Sequence, residues 1–521
     1  MKKIVLAFVA IGFALGLFLG IRSNVLNNNN EEETKLVQAD YIYTDELNLP
    51  LIEVDTLNPI YTNNKQVSDT LKLIYEPLID IDASNKFVPC LATNWMERDD
   101  VNWLLTLRKN VVWHSDKNFS IDDVIFTINA IKKNNSSPYY DNVKNISVIS
   151  KIDENTVCIT LNEKDELLPY KLTFPILPEY YFRDDLNNVE KARRPVGTGM
   201  YKYVETSNDG KRITLDFNSN YWGNISSKLK TVYLYEYQTY GEAIKAFKSS
   251  EIDVITTSLD FWDRKFGTIG INNYPYENEN FETLIPNCQK ISLSESSVRR
   301  AILHAINREN IINEIYNNNA NIKDIMIHSC SWLCMPDNVA SYDTDKSKQL
   351  LANALWKQTG SGWSKNINGK EVILKFNLMV LKSDEEKVKV AEKIKEDLES
   401  IGIKITITEV DYNTYNSNIN SGKFDLALGT IRTTNEFDLL RITGVKNYSN
   451  YTGNLFENLS LKLSNISLDN EFLKLQENYN MEAPYIGLYY KTNMLLTNKA
   501  VKGNINPTWW TPYHEIYNWS K

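Results

Sequence analysis

The chain has 521 residues. A single hydrophobic core stops growing at about 250–300 residues, so two lobes or domains are expected. A hydrophobic fraction of 42% with 24% charged residues is typical of a globular chain and excludes an intrinsically disordered one. The net charge of −9, with no basic stripe, argues against nucleic acid as a partner, because phosphate binding needs clustered Lys and Arg.

The N-terminus has the composition of a membrane segment. Two lysines precede an uncharged apolar run over residues 4–21, which as a helix would span roughly 27 Å, close to the thickness of a bilayer core. The run exceeds the about 7–15 residues of a signal-peptide core, so residues 1–22 are predicted to be an uncleaved, single-pass signal anchor, with a cleaved secretion signal as the alternative. The lysines favour a cytoplasmic N-terminus and place the rest of the chain outside the cell membrane, extracellular or periplasmic. Residues 23–40 are predicted to be a polar tether.

The chain from residue 41 to 265 is rich in predicted strands. Apolar or aromatic side chains alternate with polar ones in several short runs, with the period of two that a half-buried strand requires. These runs lie at 103–107, 146–152, 157–161 and 233–237. Two helices interrupt them, one from Ile121 and one over Tyr240–Phe247. Ser120 and Asp123 form a capping box that predicts where the first helix begins.

The chain from residue 266 to 489 has the pattern of an α/β sheet. The predicted elements are a strand at 371–381, a helix at 384–401 that stops at Gly402, a strand at 403–408, a helix at 412–419 and a strand at 424–428. A strand–helix–strand unit of this length pairs its strands in parallel. Ligands of open α/β sheets bind beyond the carboxyl ends of the strands, which here are the loops after Leu381, Val410 and Gly429.

No catalytic signature is present in the sequence. It contains no G-x-S-x-G elbow, no H-E-x-x-H, no Walker-type loop and no G-x-G-x-x-G after a strand. His304 lies in a predicted helix and is interpreted as a packing residue, which leaves His114 and His514 as the histidines of a remote alternative, an exported hydrolase. We therefore expect a protein that is not an enzyme, has no catalytic residues and needs no cofactor.

The five cysteines are too few for a disulfide-stapled scaffold. His328, Cys330 and Cys334 superficially resemble a metal cluster, but a fourth ligand is missing nearby, and no metal site is predicted. Unpaired loop thiols and a local Cys330–Cys334 disulfide both remain open.

One long stretch carries a family signature. Residues 91–127 read LATNWMERDDVNWLLTLRKNVVWHSDKNFSIDDVIFT, a strand, a Trp-His turn and a capped helix. The stretch resembles the signature of the family 5 extracellular solute-binding proteins, the peptide- and nickel-binding components of ABC importers. The matching positions are Ala92, Trp95, Trp103, Leu105, Leu107, Arg108, Val111, Trp113, His114, Phe119, Ser120, Asp123 and Val124.

The resemblance continues over nearly the whole chain after the tether. Segments similar to further family motifs are 55–59, 74–78, 195–203, 221–223, 246–254, 298–312, 344–356 and 422–429. The family implies an α/β, two-lobed, periplasmic-binding-protein-like clamp that follows the membrane helix. Lobe I would comprise residues 41–265, including a strand-rich subdomain at about 85–190, and would be completed by 490–521. Lobe II would comprise 266–489.

The resemblance also implies a function. The chain would be the extracytoplasmic substrate-binding protein of an ABC transporter, a monomer that closes on a peptide and delivers it to permease subunits in the membrane. The alternative keeps the fold and changes the ligand to a non-peptide solute or a signalling peptide, in a sensory or regulatory role.

Three departures from the family pattern bear on this expectation. The cysteine that would carry a lipid after the apolar run is absent, since the first cysteine is Cys90. The turn at 114–117 lacks the usual glycine, so a different backbone is expected there. The aspartate that pairs with a peptide's α-amino group in the family is replaced by Thr434, with Arg432 and Glu436 nearby.

Trp113 is expected to pack and His114 to fasten the turn, so ligand contacts are predicted elsewhere. The resemblance and the loop positions predict these ligand-binding residues: Tyr61, Thr62, Trp332, Arg432, Thr434, Asn435, Glu436, Tyr490 and Trp509.

Overall fold

The computed structural model describes residues 44–335, 339–433, 447–453, 455 and 468–521, all within one compact unit, Thr44–Lys521. The predicted signal anchor and tether lie outside the described residues. Among the helices that are described, none has the length and apolar character needed to cross a membrane.

The described fold contains twenty strands. In chain order they are β1 (Glu46–Ile52), β2 (Ile79–Ile81), β3 (Phe87–Pro89), β4 (Ala92–Asp99), β5 (Asn102–Leu107), β6 (Ile146–Lys151), β7 (Thr156–Leu161), β8 (Tyr201–Thr206), β9 (Arg212–Phe217), β10 (Thr231–Tyr237), β11 (Val254–Thr257), β12 (Ile271–Pro286), β13 (Ala320–Ile322), β14 (Lys357–Thr359), β15 (Gly362–Ile367), β16 (Lys370–Ile373), β17 (Lys375–Leu381), β18 (Lys404–Val410), β19 (Leu426–Arg432) and β20 (Ile486–Asn498).

Helices connect these strands. In chain order they are α1 (Lys65–Leu71), α2 (Ile121–Lys132), α3 (Tyr140–Val143), α4 (Leu168–Lys171), α5 (Glu179–Phe182), α6 (Val189–Arg193), α7 (Tyr240–Lys248), α8 (Trp262–Phe266), α9 (Ser296–Ala305), α10 (Arg308–Tyr316), α11 (Thr344–Asn353), α12 (Glu385–Ser400), α13 (Tyr412–Ser421) and α14 (Leu468–Glu482). A short 3-10 helix follows at Ile516–Asn518.

The strands form several sheets. Two are four-stranded, with the orders β1-β10-β9-β8 and β4-β5-β7-β6. The largest has the order β11-β20-β12-β19-β17-β18, with β13 paired to β20. The small sheets are β14-β15-β16 and β2-β3. The strands predicted at 103–107, 146–152, 157–161 and 233–237 are confirmed as β5, β6, β7 and β10.

The predicted α/β unit is confirmed, with one correction. β17 pairs in parallel with β18, and α12 connects them. The single strand predicted at 371–381 is wrong, because the chain changes sheets at Leu374. The N–H of this buried residue donates to Trp363 O in the three-stranded sheet, while its carbonyl accepts from Lys404 N at the start of β18. Apolar residues stand on both sides of Leu374 and fit either sheet, so the pattern of the residues does not reveal the break.

Two long strands connect the two ends of the largest sheet. β12 and β20 pair antiparallel from Ile271 opposite Asn498 to Leu284 opposite Ile486. The register shifts between Glu277 and Phe281, so residues 278–280 form a bulge in β12. One half of this ribbon lies next to β11, and the other half next to β19.

The buried apolar side chains fall into separate clusters. The first is built from residues between Leu47 and Val254 with others between Leu495 and Trp519. The second is built from residues between Leu284 and Tyr489. β12 and β20 therefore leave one core and enter another, with the bulge between them.

The signature stretch, residues 91–127, has a structural role. Trp113 is buried, and its indole N–H donates to Asp123, whose carboxylate also accepts from Ser120 N and so completes the predicted capping box. The missing glycine is replaced by Asp116, which itself takes the left-handed conformation with φ 62°. Aspartate is one of the few residues that adopts this region readily. The different backbone expected for this turn is therefore not required.

His114 fastens the signature turn to the segment around Gly197. Its Nδ1 accepts from Gly197 N at 3.2 Å, and its Nε2 donates to Gly199 O at 2.9 Å. Burial lowers the pKa of His114 to about 4, so the imidazole is neutral at pH 7. A Cβ on Gly197 would come within 1.8 Å of Ile74 O, which explains the glycine there. With both ring nitrogens engaged, His114 has a structural role, as its position in the signature predicts.

Candidate functional site

The bulge between the two cores is covered by an aromatic stack, which we define as Tyr490, His328 and Trp509. The His328 ring lies 4.5 Å from the Tyr490 ring and 5.3 Å from the Trp509 ring, with interplanar angles of 22° and 8°. Its Nε2 lies 3.1 Å from Asn278 O in the bulge. The stack thus joins the loop at 328–334, strand β20 and the C-terminal segment at one point.

Glu277 holds the start of the same loop against the bulge. Its carboxylate is buried and accepts from Ser329 N at 2.6 Å and from Asn321 Nδ2 at 2.9 Å. Hydrogen bonds to a carboxylate are among the stronger ones in proteins. His328 and the bulge are consequently fixed relative to each other.

The loop also meets the β2–β3 hairpin. Trp332 N donates to Ser84 O at 2.9 Å, and Trp509 Nε1 donates to Asn85 Oδ1 at 2.9 Å. The Lys86 ammonium lies 5.1 Å from the centre of the Trp332 ring. Trp332 Nε1 is buried and has no hydrogen-bond partner among the described residues. A buried donor without an acceptor is costly.

Strand β19 ends beside the bulge with a charged pair. Arg432 Nη2 lies 3.5 Å from Glu279 Oε1, and the Arg432 side chain is 67% exposed while that of Glu279 is 18% exposed. Thr433 N donates to Glu279 O at 2.7 Å, which holds the end of the strand in place.

Tyr61 and Thr62 lie in a turn before α1 and make local contacts. Thr62 is buried, and its hydroxyl donates to Asp55 Oδ1 at 2.6 Å. Tyr61 is partly buried against the first core cluster, and burial raises its pKa. Thr62 therefore shapes this turn, and the Tyr61 hydroxyl hydrogen-bonds with Asn134 outside it.

The structure brings together some of the predicted binding residues. Tyr490 and Trp509 meet on His328, Trp332 lies in the same loop, and Arg432 lies at the bulge on Glu279. The remaining three predicted positions, Thr434, Asn435 and Glu436, lie outside the described residues.

Sequence reasoning missed several residues of this region. They are Asn85, Glu277, Asn278 and Glu279. The available signal was the polar run at 277–280, which interrupts an otherwise strand-like segment. His328 stands close to Cys330 and Cys334 in the sequence, but its ring stacks on Tyr490 and Trp509.

The loop cysteines are thiols. No disulfide joins Cys330 to Cys334, so the local disulfide considered for this pair is not formed. The Lys323 ammonium lies 3.3 Å from Cys334 Sγ. Within the described ranges, no group of three or more His, Cys, Asp or Glu side chains is arranged to hold a metal ion.

Fold comparison gives the class of protein. The structure of HbpA2 from Haemophilus parasuis matches with a TM-score of 0.73 at 21% identity, covering 91% of this chain and 99% of that one. The mixed α/β fold is therefore that of periplasmic binding proteins, which confirms the predicted fold class at this level.

Sequence comparison then gives the family. The model of "Bacterial extracellular solute-binding proteins, family 5 Middle" matches residues 86–438, and the chain belongs to this family. It is 22% identical to the oligopeptide-binding protein AppA of Bacillus subtilis, over 100% of this chain and 98% of the relative. It is 23% identical to the nickel-binding periplasmic protein of Escherichia coli, over 72% of this chain and 73% of the relative. The expected family is confirmed, and the protein is an extracytoplasmic solute-binding protein.

Proposed function

We propose that the protein binds a peptide in a cleft beside the bulge and passes it to the permease of an ABC importer. The relative that matches over the whole chain is named for binding oligopeptides. The observation that carries the proposal is the Arg432–Glu279 pair at the junction of the two cores. It places an exposed cation and a carboxylate side by side, where a zwitterionic ligand can exchange partners with both.

The proposed clamp has lobe I at 41–265 and 490–521, and lobe II at 266–489. Two of the four core clusters formed by the described residues support this division, because each draws its residues from one proposed lobe, while a third joins Tyr170 and Tyr490 to residues of lobe II. β12 and β20 cross between the lobes, and a bulge in a crossing strand is a natural place for bending. Closing such a clamp buries the ligand.

The chemistry around the bulge suits an extended peptide. The buried Trp332 indole N–H offers a donor for a peptide carbonyl, and the partly buried Trp332 ring offers apolar surface for side chains. Contacts to the peptide main chain give affinity without strict sequence preference. Residues Arg432–Glu436 are proposed to set the preference for the peptide's ends.

Calorimetric titration of the full-length protein with mixed di- to hexapeptides tests this function. We expect heat and a thermal shift with at least one peptide pool. Absence of both with every pool would refute peptide binding.

Replacing Arg432 with glutamine tests the proposed charged pair. The R432Q protein is expected to bind the same peptides about tenfold more weakly, equivalent to about 1.4 kcal/mol. The matched control is Arg264→Gln on α8, an exposed arginine that is expected to leave peptide affinity unchanged. Equal affinities of the R432Q and wild-type proteins would exclude Arg432 from the site.

A second candidate keeps the fold and binds a non-peptide solute or a signalling peptide. It is favoured by Thr434, which stands where the peptide-binding family pattern has an aspartate, and by the relative named for binding nickel. Native mass spectrometry of the ligand that co-purifies separates the candidates. A peptide mass supports the first, and a metal chelate or other solute supports the second.

We further propose that the protein is a monomer held at the cell membrane by residues 1–22. The apolar run and the missing lipid-acceptor cysteine support this anchor. Detergent-dependent extraction of the intact chain from membranes, and its mass after extraction, test the anchor against a cleaved signal.

A further inference from the structure

A second cavity lies apart from the bulge. Its volume is about 360 Å³, near the lower end of the about 300–1,000 Å³ typical of small-molecule sites. Its walls come from residues 59–225 and from the C-terminal segment 510–517. No described residue of β12, the 328–334 loop, β19 or β20 lines it, so its walls are separate from the peptide cleft proposed above.

The lining of the cavity is negatively charged. The carboxylates of Glu76, Asp80, Asp82 and Glu515 line it, against one ammonium, that of Lys72. The Lys72 ammonium is already engaged, because it donates to Trp510 O and lies 3.7 Å from the centre of the Trp510 ring. It also lies 3.4 Å from Asp69, so it is paired within the protein. An anionic ligand would therefore meet four lining carboxylates and an ammonium that is already paired.

Asp80 is the carboxylate best placed to receive a ligand cation. Its Oδ1 accepts from Trp510 Nε1 at 2.9 Å and from Ile81 N at 2.8 Å, which orients the carboxylate. Glu76, by contrast, is buried and already accepts hydrogen bonds from three side chains. The hydrogen bonds that hold Asp80 use one oxygen and leave Oδ2 as an acceptor.

The remaining walls are aromatic and aliphatic. Tyr221, Trp510 and Tyr513 contribute rings, and Leu71, Ile81 and Met200 contribute apolar surface. The negative face of an aromatic ring attracts cations, and an apolar lining favours a ligand with an apolar body. The carboxylates, the aromatic rings and the volume of the cavity all favour one type of ligand.

We propose that this cavity binds a small organic monocation, a primary amine on an aromatic or apolar body, with its ammonium group at Asp80. The site is independent of the peptide cleft, and both can be occupied at once. It gives the protein a second ligand class besides the solute it carries.

Three probes that differ mainly in charge test the ligand class. Phenethylamine, 2-phenylethanol and 3-phenylpropionate are titrated into the full-length protein by calorimetry. We expect phenethylamine to bind at least tenfold more tightly than 2-phenylethanol, and 3-phenylpropionate to be the weakest. No binding of phenethylamine, or equal affinities for the three probes, would overturn the proposal.

Variants assign the binding to the cavity. Asp80→Asn keeps an oxygen for Trp510 but removes the charge, and is expected to weaken phenethylamine about tenfold while leaving 2-phenylethanol unchanged. Met200→Trp fills the cavity and is expected to weaken both. Glu97→Gln, at an exposed carboxylate of β4, is the matched control and is expected to change neither. An unchanged phenethylamine affinity in D80N would place the amine elsewhere.

Competition distinguishes this cavity from the peptide cleft. Phenethylamine affinity is measured with and without a saturating pool of the peptides used above. Unchanged affinity supports two separate sites. Competitive displacement would overturn the independent site and make the cavity an arm of the cleft. If the protein does not bind peptides, the peptide titration shows this by itself. The phenethylamine titration can still be interpreted in that case.

Discussion

Replacing Arg308 with methionine is expected to lower the free energy of unfolding by about 3–5 kcal/mol, the usual cost of removing one partner of a buried ion pair. Arg308 and Asp324 form such a pair, with side chains 3% and 4% exposed. The guanidinium also donates to Gly487 O at 3.0 Å and to Ala340 O. It thereby joins the start of α10 to β20 and to two loops.

The cost arises mainly from what remains after the substitution. R308M leaves the Asp324 carboxylate buried with Ala340 N as its remaining donor, at 2.6 Å, and leaves the Gly487 and Ala340 carbonyls without this donor. A buried charge that loses its partner is far more costly than an exposed one, because water cannot replace the partner. The effect should appear in urea unfolding followed by far-UV circular dichroism.

Two control variants are compared with R308M in the same unfolding measurement. Lys144→Ala removes an exposed pair with Asp141, whose side chains are 57% and 79% exposed, and should change stability by about 0–1 kcal/mol. The double variant R308M/D324L removes both charges and should recover much of the loss. If R308M were as stable as K144A, the buried pair would not have the structural role assigned to it.

Local features of the fold were predictable from sequence because their causes lie within a few residues. The capping box needs only Ser120 and Asp123, and α2 begins where they place it. The alternating strand at 103–107 and the parallel unit around α12 follow from periodicity, which is also a short-range signal. The family signature depends on such local patterns, so it remains visible at 22% identity.

The candidate site was less predictable because residues distant in sequence build it. His328 stacks on Tyr490 and Trp509, and its ring is set by Asn278 of the bulge. No spacing rule connects these positions, and the bulge itself depends on the pairing of β12 with β20. The same reason explains the strand break at Leu374, where the choice between two sheets is made by tertiary partners.

Replacing Glu76 with glutamine is expected to flatten the pH dependence of stability between about pH 4.5 and 7. Glu76 is buried and accepts hydrogen bonds from Thr198 Oγ1 at 2.7 Å, Tyr221 Oη at 2.7 Å and Trp222 Nε1 at 2.8 Å. Burial raises its pKa to about 7, and these donors act in the opposite direction. Glutamine can keep the geometry, since its oxygen accepts from Thr198 and Trp222 while its amide donates to Tyr221.

The sign follows from linkage between protonation and folding. Because the pKa of Glu76 is raised in the folded state, the folded protein binds this proton more tightly than the unfolded chain does. The resulting stability is fully present below about pH 4.5 and is lost as the pH rises through about 7. Wild-type protein should therefore lose about 3 kcal/mol relative to E76Q over this range, since one pKa unit corresponds to about 1.4 kcal/mol.

Urea unfolding of both proteins at pH 4.5, 6 and 8 measures this difference directly. Other titrating groups, including His114, are common to both proteins and cancel in the comparison. Glu97→Gln, at an exposed carboxylate of β4, serves as the control and should follow the wild-type curve. Parallel curves for wild type and E76Q would mean that Glu76 is ionised throughout, held so by its three donors. The carboxylate would then join the segment after α1 to the Thr198 and Trp222 segments as an anion.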